Sequence, residues 1–198
     1  MLKILKIKNN NLKKIIEATA MSIRGGEVIV FPTDTVYGLI CDATNKEAVA
    51  KIFKIKKRGN KKALPIFVKD MKMAKELAEV NGAQEKLLKK SWPGKITFIL
   101  KRKKGKIKIY GVKEKTIGLR IPHYKLINML MDKVKKPMVG TSANLAENPS
   151  STEIEEIIRQ FKDQKYQPDL IIDAKNLIPS KPSTIIDLTG KKIKIIRQ

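Results

Sequence analysis

The sequence predicts an α/β fold on an open mixed sheet flanked by helices, in a single domain over residues 1–198. Three observations predict it. Helix-like and strand-like segments alternate early in the chain. Adjacent strand-like segments dominate the middle and the end. No glycine-rich phosphate loop of the GxxxxGK[ST] or GxGxxG type occurs. Strict alternation demands a parallel, doubly wound sheet, whereas neighbouring strands bring antiparallel pairs into it. With 42% hydrophobic residues and dispersed Gly and Pro, a chain of this length buries a core without disulfides or metals.

Apolar residues at helical spacing place a helix from Leu12 to Arg24, closed by Gly25 and Gly26. Glu27 to Phe31 reads as a buried strand, stopped by Pro32. Thr44 to Glu47 reads as a capping box, with Ala48, Ile52 and Ile55 as the stripe of the helix behind it. LPIFV (64–68) reads as a strand, and Asp70 caps the next helix. KITFIL (95–100), KIKIYGV (106–112) and TIGLRIP (116–122) read as three strands joined by Lys/Gly turns. A helix covers Tyr124 to Val134, and the strand PMVGTSAN follows. Ser150 and Glu153 read as a second capping box, opening a helix to Phe161. DLIIDA (169–174), STIIDL (183–188) and KIKIIRQ (192–198) finish the chain as strands, with LTGK as the hairpin turn between the last two.

Composition removes several function classes. Cys41 is the sole cysteine, so it forms no internal disulfide and no thiolate metal cluster; it reads as a small buried apolar residue. His123, the sole histidine, follows Pro122 at a strand end and reads as a loop residue. Neither a Cys–His nor a Ser–His–Asp nucleophile is expected. No apolar run approaches the roughly 18 residues of a membrane span, and the lysine-interrupted MLKILKIK lacks a signal-peptide core, so the expected location is the cytoplasm. The net charge of +24 favours phosphates and nucleic acid, but its 37 lysines are spread along the whole chain. The six arginines are more telling, because the rigid guanidinium fork suits phosphate and carboxylate. Arg58, Arg120 and Arg197 all fall in polar clusters at strand ends.

The first such cluster, PTDTVYGL (32–39), places two threonines, an aspartate and a tyrosine just beyond a core strand. A turn would use such residues, and so would a small-molecule pocket, since ligands of open α/β sheets gather beyond strand ends. The others are KKRGNKKALP (56–65), SWPGKITFIL (91–100), TIGLRIP (116–122), GTSANLAENPS (140–150), PSTIIDLTG (182–190) and IIRQ (195–198). In this order and spacing, from about Ile23 to Arg197, the chain closely resembles the YrdC-like threonylcarbamoyl-AMP synthase family, in its short form without an appended C-terminal domain.

The resemblance implies a YrdC-like open twisted sheet with a basic concave pocket. It also implies a reaction: L-threonine, bicarbonate and ATP give threonylcarbamoyl-AMP and pyrophosphate, with Mg²⁺ accompanying ATP. The product serves modification of the tRNA adenosine beside the anticodon, reached directly or through a tRNA threonylcarbamoyl transferase complex. Lys56, Arg58, Ser142 and Asn144 match the catalytic positions. Arg58, Lys62, Thr116, Gly140, Ser142, Ser150 and Arg197 match ATP contacts, and Thr35, Arg120 and Ser183 match threonine contacts. The chemistry needs no side-chain nucleophile, because the carbamate carboxylate of threonine attacks the α-phosphate; positioning and charge stabilisation are what the protein supplies.

The chain departs from the family pattern at four places. Phe67 stands where many members carry a histidine near the threonine, Gly59 and Lys95 replace prolines, and LAENPS differs from LSGxPS. The competing reading is a basic RNA-binding module acting on tRNA or rRNA without catalysis. An aromatic content of 5% with no aromatic cluster counts against it, since RNA readers stack bases on aromatics.

Overall fold

The computed structural model describes residues 2–8, 10–59, 62–190 and 192–198. Its elements run β1 (Ile4–Lys6), α1 (Leu12–Arg24), β2 (Ile29–Phe31), β3 (Gly38–Asp42), α2 (Lys46–Ile55), β4 (Ile66–Phe67), α3 (Met71–Leu77) and α4 (Gly82–Ser91). They continue with β5 (Ile96–Lys101), β6 (Thr116–Arg120), α5 (Lys125–Val134), β7 (Met138–Ser142), α6 (Ile154–Phe161), β8 (Leu170–Asp173), β9 (Thr184–Asp187) and β10 (Lys194–Arg197). Among the described residues these strands form one mixed sheet in the order β1-β8-β2-β3-β7-β4-β6-β5-β9-β10.

Side-chain alternation along the strands divides the core between the two faces. Ile29, Phe31, Ile40, Phe67, Met138 and Ile172 point to the layer where α1 packs on α5. Val30, Leu39, Ile66, Val139 and Ile171 point to the other layer, filled by α2, α3, α4 and α6. Strands buried on both sides read as continuous apolar runs, and these do. The α1–α5 pair covers its face from β1 to β4, as far along β7 as Met138. Beyond it the same face continues through Gly140 and Ser142 of β7, Gly118 and Arg120 of β6, Thr97 of β5 and Ile185 of β9, as the cross-strand register shows. Small and polar residues on this uncovered stretch leave a hollow, which is the candidate functional site.

Helix α1 has the expected bounds, with Ile15, Ile16, Ala20 and Ile23 as its buried stripe. Several local expectations are corrected. Thr44 does not cap α2; its amide and hydroxyl both bond Asp42 Oδ1, at 2.7 and 2.6 Å, and Asn45 caps instead by accepting from Ala48 N–H. Ser150 and Glu153 form no capping box, because α6 starts at Ile154, whose amide donates to Asn176 Oδ1 from a distant loop. Residues 106–112 are not a strand. Gly111 takes φ +72, Tyr110 N–H donates to Ala43 O, and Gly111 O accepts from Leu64 N–H, so this segment bonds neighbours singly. The LTGK turn falls partly on Lys191, outside the described residues; its described part is held by Asp187 Oδ1, which accepts from the Thr189 amide and hydroxyl. Cys41 is fully buried in β3 and His123 is an exposed loop residue, as expected.

Candidate active site

The loop from β2 into β3 is shaped by its own hydroxyls. Thr33 Oγ1 donates to Val36 O at 2.7 Å and accepts from Thr35 N–H at 3.1 Å, and the two threonine hydroxyls lie 3.0 Å apart. Asp34 uses both carboxylate oxygens: Oδ1 accepts from Arg120 Nη2 at 2.6 Å, and Oδ2 from the His123 amide at 3.0 Å. Arg120 also donates from Nε to Gly94 O at 2.9 Å, and its Nη1 reaches Thr35 Oγ1 at 3.4 Å. The Asp34–Arg120 side chains are only 7% and 4% exposed, so this is a buried ion pair at the end of β6. Burial pushes the Arg120 guanidinium down from its ordinary value, and Asp34 pushes it back up.

Phe67 forms the apolar floor beside this pair, its ring centroid 5.7 Å from the Arg120 guanidinium carbon. The ring fills the space a side chain at 140 would need: a Cβ on Gly140 would lie 2.4 Å from Phe67 Cζ. Gly140 is thus required by packing, whatever it does for a ligand. Gly140→Ala overpacks the floor and costs about 1–3 kcal/mol, a loss read as a lowered unfolding midpoint. Adding Phe67→Val to that variant recovers most of it; failure to recover would mean that the clash lies elsewhere.

The same pocket has two further arginines in its wall, and one of them, Arg197, lies near enough to act on Arg120. Helix α2 ends at Ile55, Lys57 turns into the left-handed region at φ 50, and Arg58 is delivered to the pocket wall with its amide bonded to Phe53 O. Arg58 Nε is buried with no hydrogen-bond partner. Arg197 arrives by a β-bulge. Lys194 pairs Asp187 and Ile195 pairs Ile186, but the next partner of Ile185 is Arg197, so Ile196 is the extra residue. Plain alternation would send Arg197 to the far face; the bulge returns it to the pocket face. There its Nε and Nη2 donate to Ser183 O at 3.0 and 2.7 Å, and Ser183 Oγ lies 3.0 Å from Thr97 Oγ1. Burial lowers the pKa of both arginines, and for Arg197 the nearby Arg58 lowers it further. Among the described residues, no carboxylate pairs with either.

Behind this wall, Lys56 is 2% exposed and donates from Nζ to three oxygens: Ser142 O at 2.6 Å, and Asn144 O and Oδ1 at 2.9 Å each. Burial first, and Arg58 second, pull its pKa down to about 7. Asn144 Nδ2 in turn holds Leu145 O and Asn148 O. Lys56 and Asn144 therefore fix the 142–148 loop rather than face the cavity.

Seven of the anticipated residues, Thr35, Arg58, Arg120, Gly140, Ser142, Ser183 and Arg197, line one cavity of about 630 Å³. Thr116 lines an adjoining hollow that shares Ala63, Pro65 and Ile185 with it. Lys62 and Ser150 line neither. Asp34 was given no role from the sequence, although it sits inside the most distinctive motif. Only its pairing across 86 residues with Arg120 reveals one.

Such a pocket defines a class: an α/β protein with an arginine-walled hollow, suited to an anionic ligand, on one face of a mixed sheet. The chain belongs to the Sua5/YciO/YrdC family, described as "Telomere recombination", whose pattern matches residues 21–198. It is 36% identical over 197 residues to the putative threonylcarbamoyl-AMP synthase of Methanocaldococcus jannaschii, covering all of this chain and 91% of that one. Its fold matches Escherichia coli YciO with a TM-score of 0.85 at 30% identity, over 100% of this chain and 95% of that one. It also matches Pyrococcus abyssi Sua5 complexed with L-threonine, with a TM-score of 0.86 at 29% identity; all of this chain is covered, but only 57% of the Sua5 chain.

Proposed function

We propose that this protein is a threonylcarbamoyl-AMP synthase, a nucleotidyltransferase that condenses L-threonine, bicarbonate and ATP and releases pyrophosphate. One observation carries the reading: a single cavity brings together two arginines with no carboxylate partner among the described residues, threonine and serine hydroxyls, and Arg120, charge-balanced by Asp34. Arg58 and Arg197 receive the triphosphate, and the nucleoside extends toward Thr116 in the adjoining hollow. Thr35, Arg120 and Ser183 hold the amino acid, whose amine condenses with bicarbonate, with loss of water, to a carbamate whose oxygen faces the α-phosphate. Attack forms the new P–O bond as the bond to pyrophosphate breaks. The arginines hold the charge that develops on the departing phosphates, without reorganising as it forms. The names of the relatives support this reading.

The pocket lining contains no carboxylate, and among the described residues no cluster of His, Cys, Asp or Glu suits a metal. Mg²⁺ accordingly enters as part of the Mg–ATP substrate, on phosphate oxygens. No helix of the described structure is long and apolar enough to cross a membrane. The reading places the protein in the cytoplasm as a single domain over residues 1–198, supplying a tRNA threonylcarbamoyl transferase. Pyrophosphate release from Mg–ATP is expected only when L-threonine and bicarbonate are both present. No release from folded protein, together with tight, salt-sensitive RNA binding indifferent to Arg58, would overturn the proposal in favour of an RNA-binding module.

A further inference from the structure

The arginines of the pocket differ in pairing, and one residue makes the difference. Arg58 and Arg197 have no carboxylate partner among the described residues, whereas Arg120, in the same cavity, is held at 2.6 Å by Asp34. We propose that Asp34 is a specificity-determining residue that sorts the two substrates among these arginines, keeping the polyanion off Arg120. This role rests on the proposed function and deepens it.

The argument is electrostatic. A zwitterionic amino acid carries no net charge, so a paired guanidinium with N–H groups to spare suits it. Arg120 directs Nε, one Nη2 hydrogen and one Nη1 hydrogen to protein oxygens, and two of its five N–H groups remain. An oligophosphate carries several negative charges and is drawn to unpaired cations. The Asp34 carboxylate repels what the Arg120 guanidinium attracts, which leaves Arg58 and Arg197 as the cations for the oligophosphate. Without that charge, Arg120 becomes a third unpaired cation within electrostatic reach of Arg197, and the triphosphate can spread onto it. Asp34 itself does not line the cavity. Its anchoring to the His123 amide fixes its distance from Arg120, so it acts through that guanidinium.

Isothermal titration with inorganic pyrophosphate and L-threonine tests this without requiring turnover. Wild-type protein should bind both at once, with threonine affinity unchanged within about threefold by saturating pyrophosphate. Asp34→Asn keeps the shape and removes the charge. It should bind pyrophosphate about tenfold more tightly and make the two ligands mutually exclusive. A merely structural role would weaken both ligands and create no competition. Adding Arg120→Gln to Asp34→Asn removes the orphaned cation, so pyrophosphate affinity should return to the wild-type value. Asp34→Glu, which keeps the charge, covers the case in which Asp34→Asn fails to fold: competition in that variant overturns the sorting role. Pyrophosphate binding to Asp34→Asn that is unchanged and independent of threonine overturns it too. Wild-type protein that binds neither ligand overturns the proposed function instead.

Discussion

Arg58→Ala lowers the rate of pyrophosphate release by about 100-fold or more, the scale of removing one donor that stabilises developing charge. The fold does not suffer with it. Among the described residues Arg58 donates no side-chain hydrogen bond, and its buried Nε has no partner, so truncation orphans none of their polar groups. It also relieves repulsion on Arg197 and Lys56, both of which Arg58 perturbs. The unfolding midpoint should stay level or rise, the pattern of a site that holds strain for function. Arg58→Lys restores only part of the rate, because an ammonium lacks the planar fork that meets two phosphate oxygens. Steady-state kinetics and a thermal melt on the same samples check this. Near wild-type release in the alanine variant would remove Arg58 from the phosphate site, and a large fall in midpoint would reassign it as structural.

The elements most legible in the sequence are those whose signal is local. Helix α1 carries four buried apolar residues at helical spacing before Gly25, and its bounds follow from them. β2 is an unbroken apolar run, and neighbouring strands required antiparallel pairs, which the sheet contains. Helix α4 was not anticipated, because only Leu88 is buried along its length; an Asn81–Gln84 capping box holds its start in place of an apolar stripe. Residues 106–112 alternate like a strand, yet Gly111 turns left-handed where a Cβ would lie 2.9 Å from Val49 Cγ1. The site divides in the same way. Arginines, glycines and hydroxyls can be seen in motifs, and seven of them meet in one cavity. The bulge at Ile196 leaves only a faint trace, the adjacent Ile195 and Ile196 that break the Lys/Ile alternation, and without it Arg197 would fall on the wrong face. Phe67 was visible as a departure, but its fit against Gly140 is a contact between strands distant in sequence.

Lys56→Met should cost both activity and stability, for a reason that separates it from Arg58. Lys56 holds three buried oxygens of Ser142 and Asn144, and methionine leaves all three without a donor. Unsatisfied buried acceptors cost about 1–3 kcal/mol each, so a total of about 3 kcal/mol or more is expected, a midpoint lower by roughly 5–10 °C. The loosened 142–148 loop moves Ser142 at the pocket wall, and a misplacement of this kind costs about 100-fold in rate. The pH dependence identifies the lysine itself. The folded protein gives up the Lys56 proton near pH 7, while the unfolded chain keeps it to the ordinary lysine value of 10.5. Between these limits the unfolded state binds more protons, so raising the pH favours the folded state. Below pH 7 both states are protonated and the contribution is flat. The wild-type advantage over Lys56→Met should therefore widen from pH 7 to pH 9, as read by denaturant unfolding at each pH. An advantage that stays flat over that range would mean that the folded protein holds the ammonium charged well above pH 7, its three acceptors outweighing burial and Arg58.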